Sequence, residues 1–161
     1  MKRLAKPEAL AQVEAERGPG CPMCELARTP EATTVAISEH AVAVLDRFAA
    51  RPGHVLVVLR RHAEKIGQLP YAEYEALHRL AYLVAGALER ELAPPRIYIA
   101  ALGSAQPLAT SFPHVHLHVI PLADGGEVDR PANVMTWANG MYVFEDGEEA
   151  IWRARLRVQG A

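Results

Sequence analysis

The chain is poor in cysteine, has no long apolar run and carries almost no net charge. It has only 2 cysteines in 161 residues, and both lie in the stretch CPMC, as Cys21 and Cys24. Such a pair is no disulfide framework of the kind that staples small secreted domains, so metal or redox chemistry is the better reading. No apolar stretch approaches the roughly 18 residues of a membrane-spanning helix. The opening MKRLAKPEALAQVEAERGPG also lacks the apolar centre of a secretion signal. A cytoplasmic location with no membrane partner is expected. The formal net charge of -2 gives no electrostatic reason to bind a bulk polyanion such as duplex DNA. No nucleic-acid partner is expected, while a small anionic ligand stays open. The chain has no repeat, low-complexity tract or second-domain boundary.

Hydrophobic residues make up 50% of the chain and charged residues 22%, as in ordinary globular chains of a size that buries one core. Residues 1–20 read as a peripheral segment, a short polar helix broken at Gly18, Pro19 and Gly20. Residues 21–161 read as a single domain. A short helical piece near CELART precedes TTVAIS and HAVAVLD, two strands joined around Ser38 to His40. RPG (Arg51 to Gly53) turns the chain into HVLVVL, a β-branched run that reads as a central strand. Pro70 suits a first helical position, and Tyr74, Leu77, Ala81, Val84 and Leu88 then recur at spacings of three and four, which predicts one amphipathic helix whose stripe meets the core or a dimer partner. Pro94 and Pro95 stop it, RIYIAAL begins another strand, and MYVF (Met141 to Phe144) is a candidate short one. Strands joined by short turns, with one long helix inserted, predict an α+β fold with a largely antiparallel sheet and helices to one side.

FPHVHLHVI is the stretch with chemistry in it. Alternate residues of a strand share a face, so His114, His116 and His118 line one side while Val115, Leu117 and Val119 line the other. Three imidazoles along about 13 Å of strand repel one another if all are protonated, so each gains from a partner that keeps it neutral. The bland reading is three hydrogen-bonded structural residues. A single metal held by all three is poor geometry, because the outer pair lies too far apart for bonds of about 2 Å. A central nucleophile or general acid/base with supporting neighbours fits better, and an imidazole of ordinary pKa is largely unprotonated at neutral pH.

HVHLHVI resembles the His-x-His-x-His-x-x signature of the histidine triad superfamily of nucleotide hydrolases and transferases. AVLDRFAARPGHVLVVLRRHAEKIGQL is similar to that family's strand-turn-strand segment, in the expected order and spacing, and the likeness runs from about Cys21 to Leu122. The resemblance implies an antiparallel sheet of about five strands with one long helix and a short N-terminal helix, usually in a homodimer. It implies that His116 attacks the α-phosphorus of a small-molecule nucleotide, through a nucleotidyl-imidazole that water or another acceptor cleaves. His118 would bind the phosphate or orient the site, His54 would support the triad from the neighbouring strand, and Asp46 would accept from the ribose hydroxyls.

CPMC has two chemical readings beside the plain one of two unpaired structural cysteines. A thioredoxin-like redox pair should follow a strand and open a helix, whereas GPG and polar residues precede this one. The resemblance implies instead a structural Zn2+ ion held by Cys21, Cys24, His62 and His114, a chemically complete tetrahedral set. Without it, His62 reads as a solvated residue beside Arg60 and Arg61, which themselves flank a strand or steer phosphate. The loop before the triad departs from the family. Where an Asn-x-Gly-x-x-x-Gly-Gln stretch is usual, this chain has ALGSAQPLATSFPH, with Gly103 as its only glycine. Ser111 matches a hydroxyl position that donates to the phosphate or leaving atom, Thr110 stands in the glutamine's place, and Ser104 and Gln106 are candidate replacement donors. Losing two such contacts costs several kcal/mol of transition-state stabilisation. The rival to an enzyme acting on dinucleoside polyphosphates or nucleoside phosphoramidates is therefore a low-activity nucleotide-binding or regulatory zinc protein. Trp137 and Trp152 are candidates for completing the pocket or packing the core.

Overall fold

A computed structural model describes the chain except residues 17, 29–32, 104–111, 124, 157 and 159–161. In chain order come β1 (Lys2–Leu4), α1 (Lys6–Ala15), α2 (Pro22–Arg28), β2 (Thr34–Ile37), β3 (Ala41–Leu45) and β4 (Val55–Leu59). The long helix α3 (Tyr71–Leu92), β5 (Ile97–Ala100), β6 (His116–Pro121), α4 (Pro131–Met135), β7 (Met141–Val143) and α5 (Glu148–Arg155) follow. The fold is α+β, built on a five-stranded antiparallel sheet of order β2-β3-β4-β6-β5. Among the described residues no helix is long and apolar enough to cross a membrane.

Alternation decides what each sheet face covers. Ala41, Ala43, Leu45, Val55, Val57, Leu59, Val115, Leu117 and Val119 pack on one face against Leu77, Leu80, Ala81, Val84 and Leu88 of α3. Tyr74, the first residue of the expected stripe, is only half-buried. Ala93 at φ 45° caps α3 in the left-handed region, and the prolines after it forbid continuation. The opposite face carries Val42, Val44, Leu56 and Val58, covered by Met23 and Ala27 of α2. His116 lies opposite Val58 and His118 opposite Leu56, so both histidines share this second face. Helices therefore cover both faces, not one as expected. The short helix near CELART was legible, but its apolar Met23 and Ala27 take it to the histidine side.

The amino-terminal segment, read as a helix alone, also contains a strand. β1 pairs with β7 in a separate two-stranded sheet, with Lys2 opposite Val143 and Leu4 opposite Met141. Leu4, Ala9 and Met141 bury one another, with Phe48 and Trp137 packed beside them. A bridge between Ala49 and Tyr142 ties this unit to the turn between β3 and β4.

Two glycines place the site. Gly53, at φ +87°, precedes His54, and a Cβ there would lie 3.0 Å from Leu92 and 3.2 Å from Trp152. Trp152 thus packs on the core side, with the Arg155 guanidinium 4.9 Å above its ring, and not in a pocket. Gly103 passes the triad's backbone closely: a Cβ would stand 2.8 Å from the His114 carbonyl oxygen.

Candidate active site and metal-binding cluster

Two clusters of titratable side chains flank His116. The first contains Cys21, Cys24, His62 and His114, whose ligating atoms all lie within 4.8 Å of one another. Cys21 Sγ is 3.4 Å from His114 Nδ1, Cys24 Sγ is 3.4 Å from His62 Nδ1 and 3.5 Å from His114 Nδ1. A tetrahedral ion with bonds of about 2.0–2.3 Å spaces its ligands by roughly 3.3–3.8 Å, so the set is a possible zinc site by geometry and donor chemistry. The nitrogens are oriented for it. His114 donates from Nε2 to the Leu59 carbonyl at 2.8 Å, which leaves Nδ1 with its lone pair toward the thiols. His62 turns Nε2 toward Glu64 at 3.9 Å and its other nitrogen inward. Burial and the Cys21 sulfur push the Cys24 thiol above its ordinary pKa, an ionisation cost that a dication would reverse.

The second cluster runs from the nucleophile candidate to a carboxylate. His116 donates from Nδ1 to the His114 carbonyl at 2.7 Å, since a carbonyl can only accept. Its Nε2 lies 3.1 Å from His118 Nε2, His118 Nδ1 lies 3.0 Å from His54 Nε2, and His54 Nδ1 lies 3.0 Å from Asp46 Oδ2. The Ala50 amide also donates to His54 Nδ1 at 3.2 Å, and the Phe48 amide donates to Asp46 Oδ1 at 3.0 Å. His54, His116 and His118 are buried, and burial is the main cause holding each below its ordinary pKa. Neighbouring imidazoles lower His118 further, while Asp46 opposes the shift at His54 and His116. A neutral, oriented ring with one free nitrogen is a nucleophile or a base.

His116 and His118 open onto a cleft of about 260 Å³, walled by Val13 of α1, Met23 and Leu26 of α2, and by Phe48, Phe112 and Trp137. Mostly apolar walls with a few polar groups at one end suit a ring-bearing ligand with a charged or reactive group. Trp137 lines the cleft from a backbone at φ 51°. Arg60 and Arg61 do not: Arg60 reaches the carbonyls of Ser38 and Glu39, and Arg61 pairs with Glu73 at 2.7 Å on the surface. Ser104, Gln106, Thr110 and Ser111 lie outside the described residues. Sequence reasoning missed Glu64, the Asp46–His54 contact, and Arg51. The Arg51 guanidinium is buried against Asp129 at 2.8 Å and holds the turn from which His54 emerges. A separation of 78 residues gave no signal for that pair.

Comparison with known proteins agrees with this layout. An uncharacterized HIT-like protein of Mycoplasma genitalium is 32% identical over 90 residues, 56% of this chain and 63% of that protein. An uncharacterized 16.1 kDa HIT-like protein of Mycoplasma pneumoniae is 32% identical over 89 residues, 55% and 61%. The chain thus spans about three-fifths of these curated relatives. Among solved structures, a hypothetical histidine triad nucleotide-binding protein from Sulfolobus tokodaii superposes with a TM-score of 0.66 at 20% identity, covering 85% of this chain and 89% of that one. A Zn-bound histidine triad family protein from Mycobacterium smegmatis gives 0.61 at 20% identity, covering 85% and 93%. At such identities these structures speak for the fold. The family model for the HIT domain matches residues 28–125, more than half of the chain and the segment that carries both the turn at Gly53 and the three alternating histidines, and the chain belongs to the HIT domain family.

Proposed function

We propose that the protein is a nucleotide hydrolase or nucleotidyl transferase in which His116 attacks the α-phosphate of a small nucleotide. The observation that carries this reading is the 2.7 Å hydrogen bond from His116 Nδ1 to the His114 carbonyl, which leaves Nε2 as the attacking nitrogen at the cleft. Nε2 forms a bond to phosphorus as the bond to the leaving group breaks, and His118 supplies the leaving atom with a proton from Nε2. The resulting nucleotidyl-imidazole ring is cationic, and the His114 carbonyl stabilises its Nδ1–H more strongly than that of the free ring. Water or another acceptor then attacks phosphorus and releases His116. The apolar cleft takes the base, Asp46 accepts from the ribose, and Thr110 and Ser111 belong to the phosphate-facing loop of the family. Zinc on Cys21, Cys24, His62 and His114 has a structural part, since no position is left open for substrate. Dinucleoside polyphosphates and nucleoside phosphoramidates are the leading substrate classes.

The test is adduct formation. Protein mixed with adenosine phosphoramidate or diadenosine tetraphosphate, quenched without acid and analysed by mass spectrometry, should carry one AMP on His116. Neither an adduct nor AMP release above that of His116→Ala would reject the proposal. The altered sequence from Gly103 to Pro113 favours the second reading, a low-activity nucleotide-binding or regulatory zinc protein, which would bind AMP without turning over either substrate. A homodimer is part of the proposal. β5 lies at one edge of the sheet with Ile99 49% exposed, an edge that a second copy can cover. Sedimentation should give twice the chain mass.

A further inference from the structure

The hydrogen bonds around His118 fix the tautomer of each neutral ring, and they leave one close contact, between Asp46 and His54, with no proton in it. Because His116 donates from Nδ1, its Nε2 is an acceptor, so His118 Nε2 must be the donor across the 3.1 Å contact. A neutral His118 then has only a lone pair on Nδ1, and His54 Nε2 must donate across 3.0 Å. That leaves a lone pair on His54 Nδ1, which the Ala50 amide meets at 3.2 Å. Asp46 Oδ2 faces the same nitrogen at 3.0 Å, and two lone pairs do not hold such a distance without a proton between them. A proton shared between Asp46 Oδ2 and His54 Nδ1 would relieve this contact.

We propose that Asp46 and His54 store this proton and that the row His54–His118 passes it to the leaving group and takes it back from water. This rests on the reading of His116 as nucleophile given above. In the first half-reaction the phosphorus–leaving-group bond breaks, and its electron pair takes the proton from His118 Nε2. His118 Nδ1 takes the proton of His54 Nε2, His54 Nδ1 keeps the shared proton, and Asp46 becomes a carboxylate accepting from it. The hydrogen bond between His54 and His118 is now reversed, and His54 Nδ1 donates to Asp46 in place of accepting from the Ala50 amide. In the second half-reaction the water oxygen bonds to phosphorus, the bond to His116 Nε2 breaks and its pair returns to the ring. The water proton goes to His118 Nε2, and the row flips back.

The surroundings isolate this row. His54 is 1% and His118 6% exposed, so bulk water does not short-circuit it, whereas the Asp46 side chain keeps 14% of its surface at the cleft. The nearest charges are otherwise engaged. Arg51, from the turn before His54, is bound to Asp129, and Arg47 is paired with Glu16 of α1 at 3.0 Å. Glu25 of α2 lines the cleft, and from β6 His116 faces the row at 3.1 Å. Asp46 thus acts through His54 as a positioning residue for protons, in addition to its contact with ribose.

The experiment compares two AMP derivatives with the wild-type protein and Asp46→Asn. One has an alkylamine leaving group, which must be protonated to depart, and the other has 4-nitrophenolate, which need not be. Loss of a ribose contact slows both by one common factor, because they share the nucleoside. Loss of the relay slows the amine by about a further 100-fold, the usual scale of general-acid help. The amine-to-ester ratio of kcat/KM should fall by that factor in Asp46→Asn. An unchanged ratio overturns the relay while leaving His116 as nucleophile intact. If the wild type forms no nucleotidyl adduct with either compound, the nucleophile reading fails, and imidazole 15N NMR decides the relay separately. Rising pH should move the wild-type His118 proton from Nε2 to Nδ1, whereas Asp46→Asn, with an amide that donates to His54, should keep it on Nε2. A wild-type His118 tautomer that stays fixed across the titration overturns the proposal.

Discussion

The two ends of the histidine strand are served by different chemistry. At His114 the partners are two sulfurs, a half-exposed His62 and a backbone carbonyl, a soft and mostly neutral set suited to a fixed cation. At His118 there is no sulfur, and the partners are an imidazole and, beyond it, a carboxylate, all in or near the cleft. One residue type repeated at period two thus has an orienting end toward the sulfurs and, through His54, a second end toward a carboxylate. The middle ring draws on both, taking its tautomer from His114 and a hydrogen bond from His118.

Replacing the middle ring should break both ends' purpose at once. His116→Ala is expected to lower nucleotidyl release by about 10⁴-fold or more, measured in single turnover, with metal content unchanged. Cys21→Ser with Cys24→Ser strikes only the orienting end. It should remove most of the bound metal, read by elemental analysis of untagged protein, and slow turnover by about 10–100-fold, the scale seen when groups behind a site's contacts are lost. Metal content equal to that of the wild type would reject the four-residue set. Gly103→Ala is gentler and sharper. Its Cβ, 2.8 Å from the His114 carbonyl, must push the acceptor of the His116 proton, so kcat should fall about tenfold with KM and metal content little changed.

The smallest effect is on pH dependence. His116 and His118 are held below the ordinary 6.5, chiefly by burial. In the unfolded chain both take up protons near pH 6.5, whereas the folded chain takes them up only at lower pH. Their contribution to stability is therefore complete above 6.5 and declines as pH falls from there toward the depressed folded values. Urea midpoints should be level between pH 7 and 8 and decrease at pH 5.5, with a smaller decrease in a His118→Gln variant. A midpoint that rises on acidification would contradict the burial of these rings in neutral form.

The features legible from sequence are those set by local period. Val55 to Leu59 reads as a central strand because it is apolar throughout and rich in β-branched valine, and it is the middle strand because both of its faces are covered. The α3 stripe follows spacings of three and four and lands on Leu77, Ala81, Val84 and Leu88. The metal cluster was legible only through family likeness, since Cys21 and His114 are 93 residues apart. What escaped was pairing at a distance with no periodic trace: Asp46 against His54, Arg51 against Asp129, and β1 against β7. The single alternation in HVHLH could say that three rings share a face, but not that the ring at each end faces a different neighbour.

The pairing of Lys2–Leu4 with Met141–Val143 imposes an order on biosynthesis. Among the described residues β7 is the only strand that β1 meets, so β1 has no strand partner until β7 is made. The five-stranded sheet closes when Pro121 emerges, some twenty residues earlier, with all its histidines in register. Val13 is then brought to the groove by a late clasp, and a chain clipped ahead of Met141 would keep the three alternating histidines while losing the strand that holds one wall of the cleft.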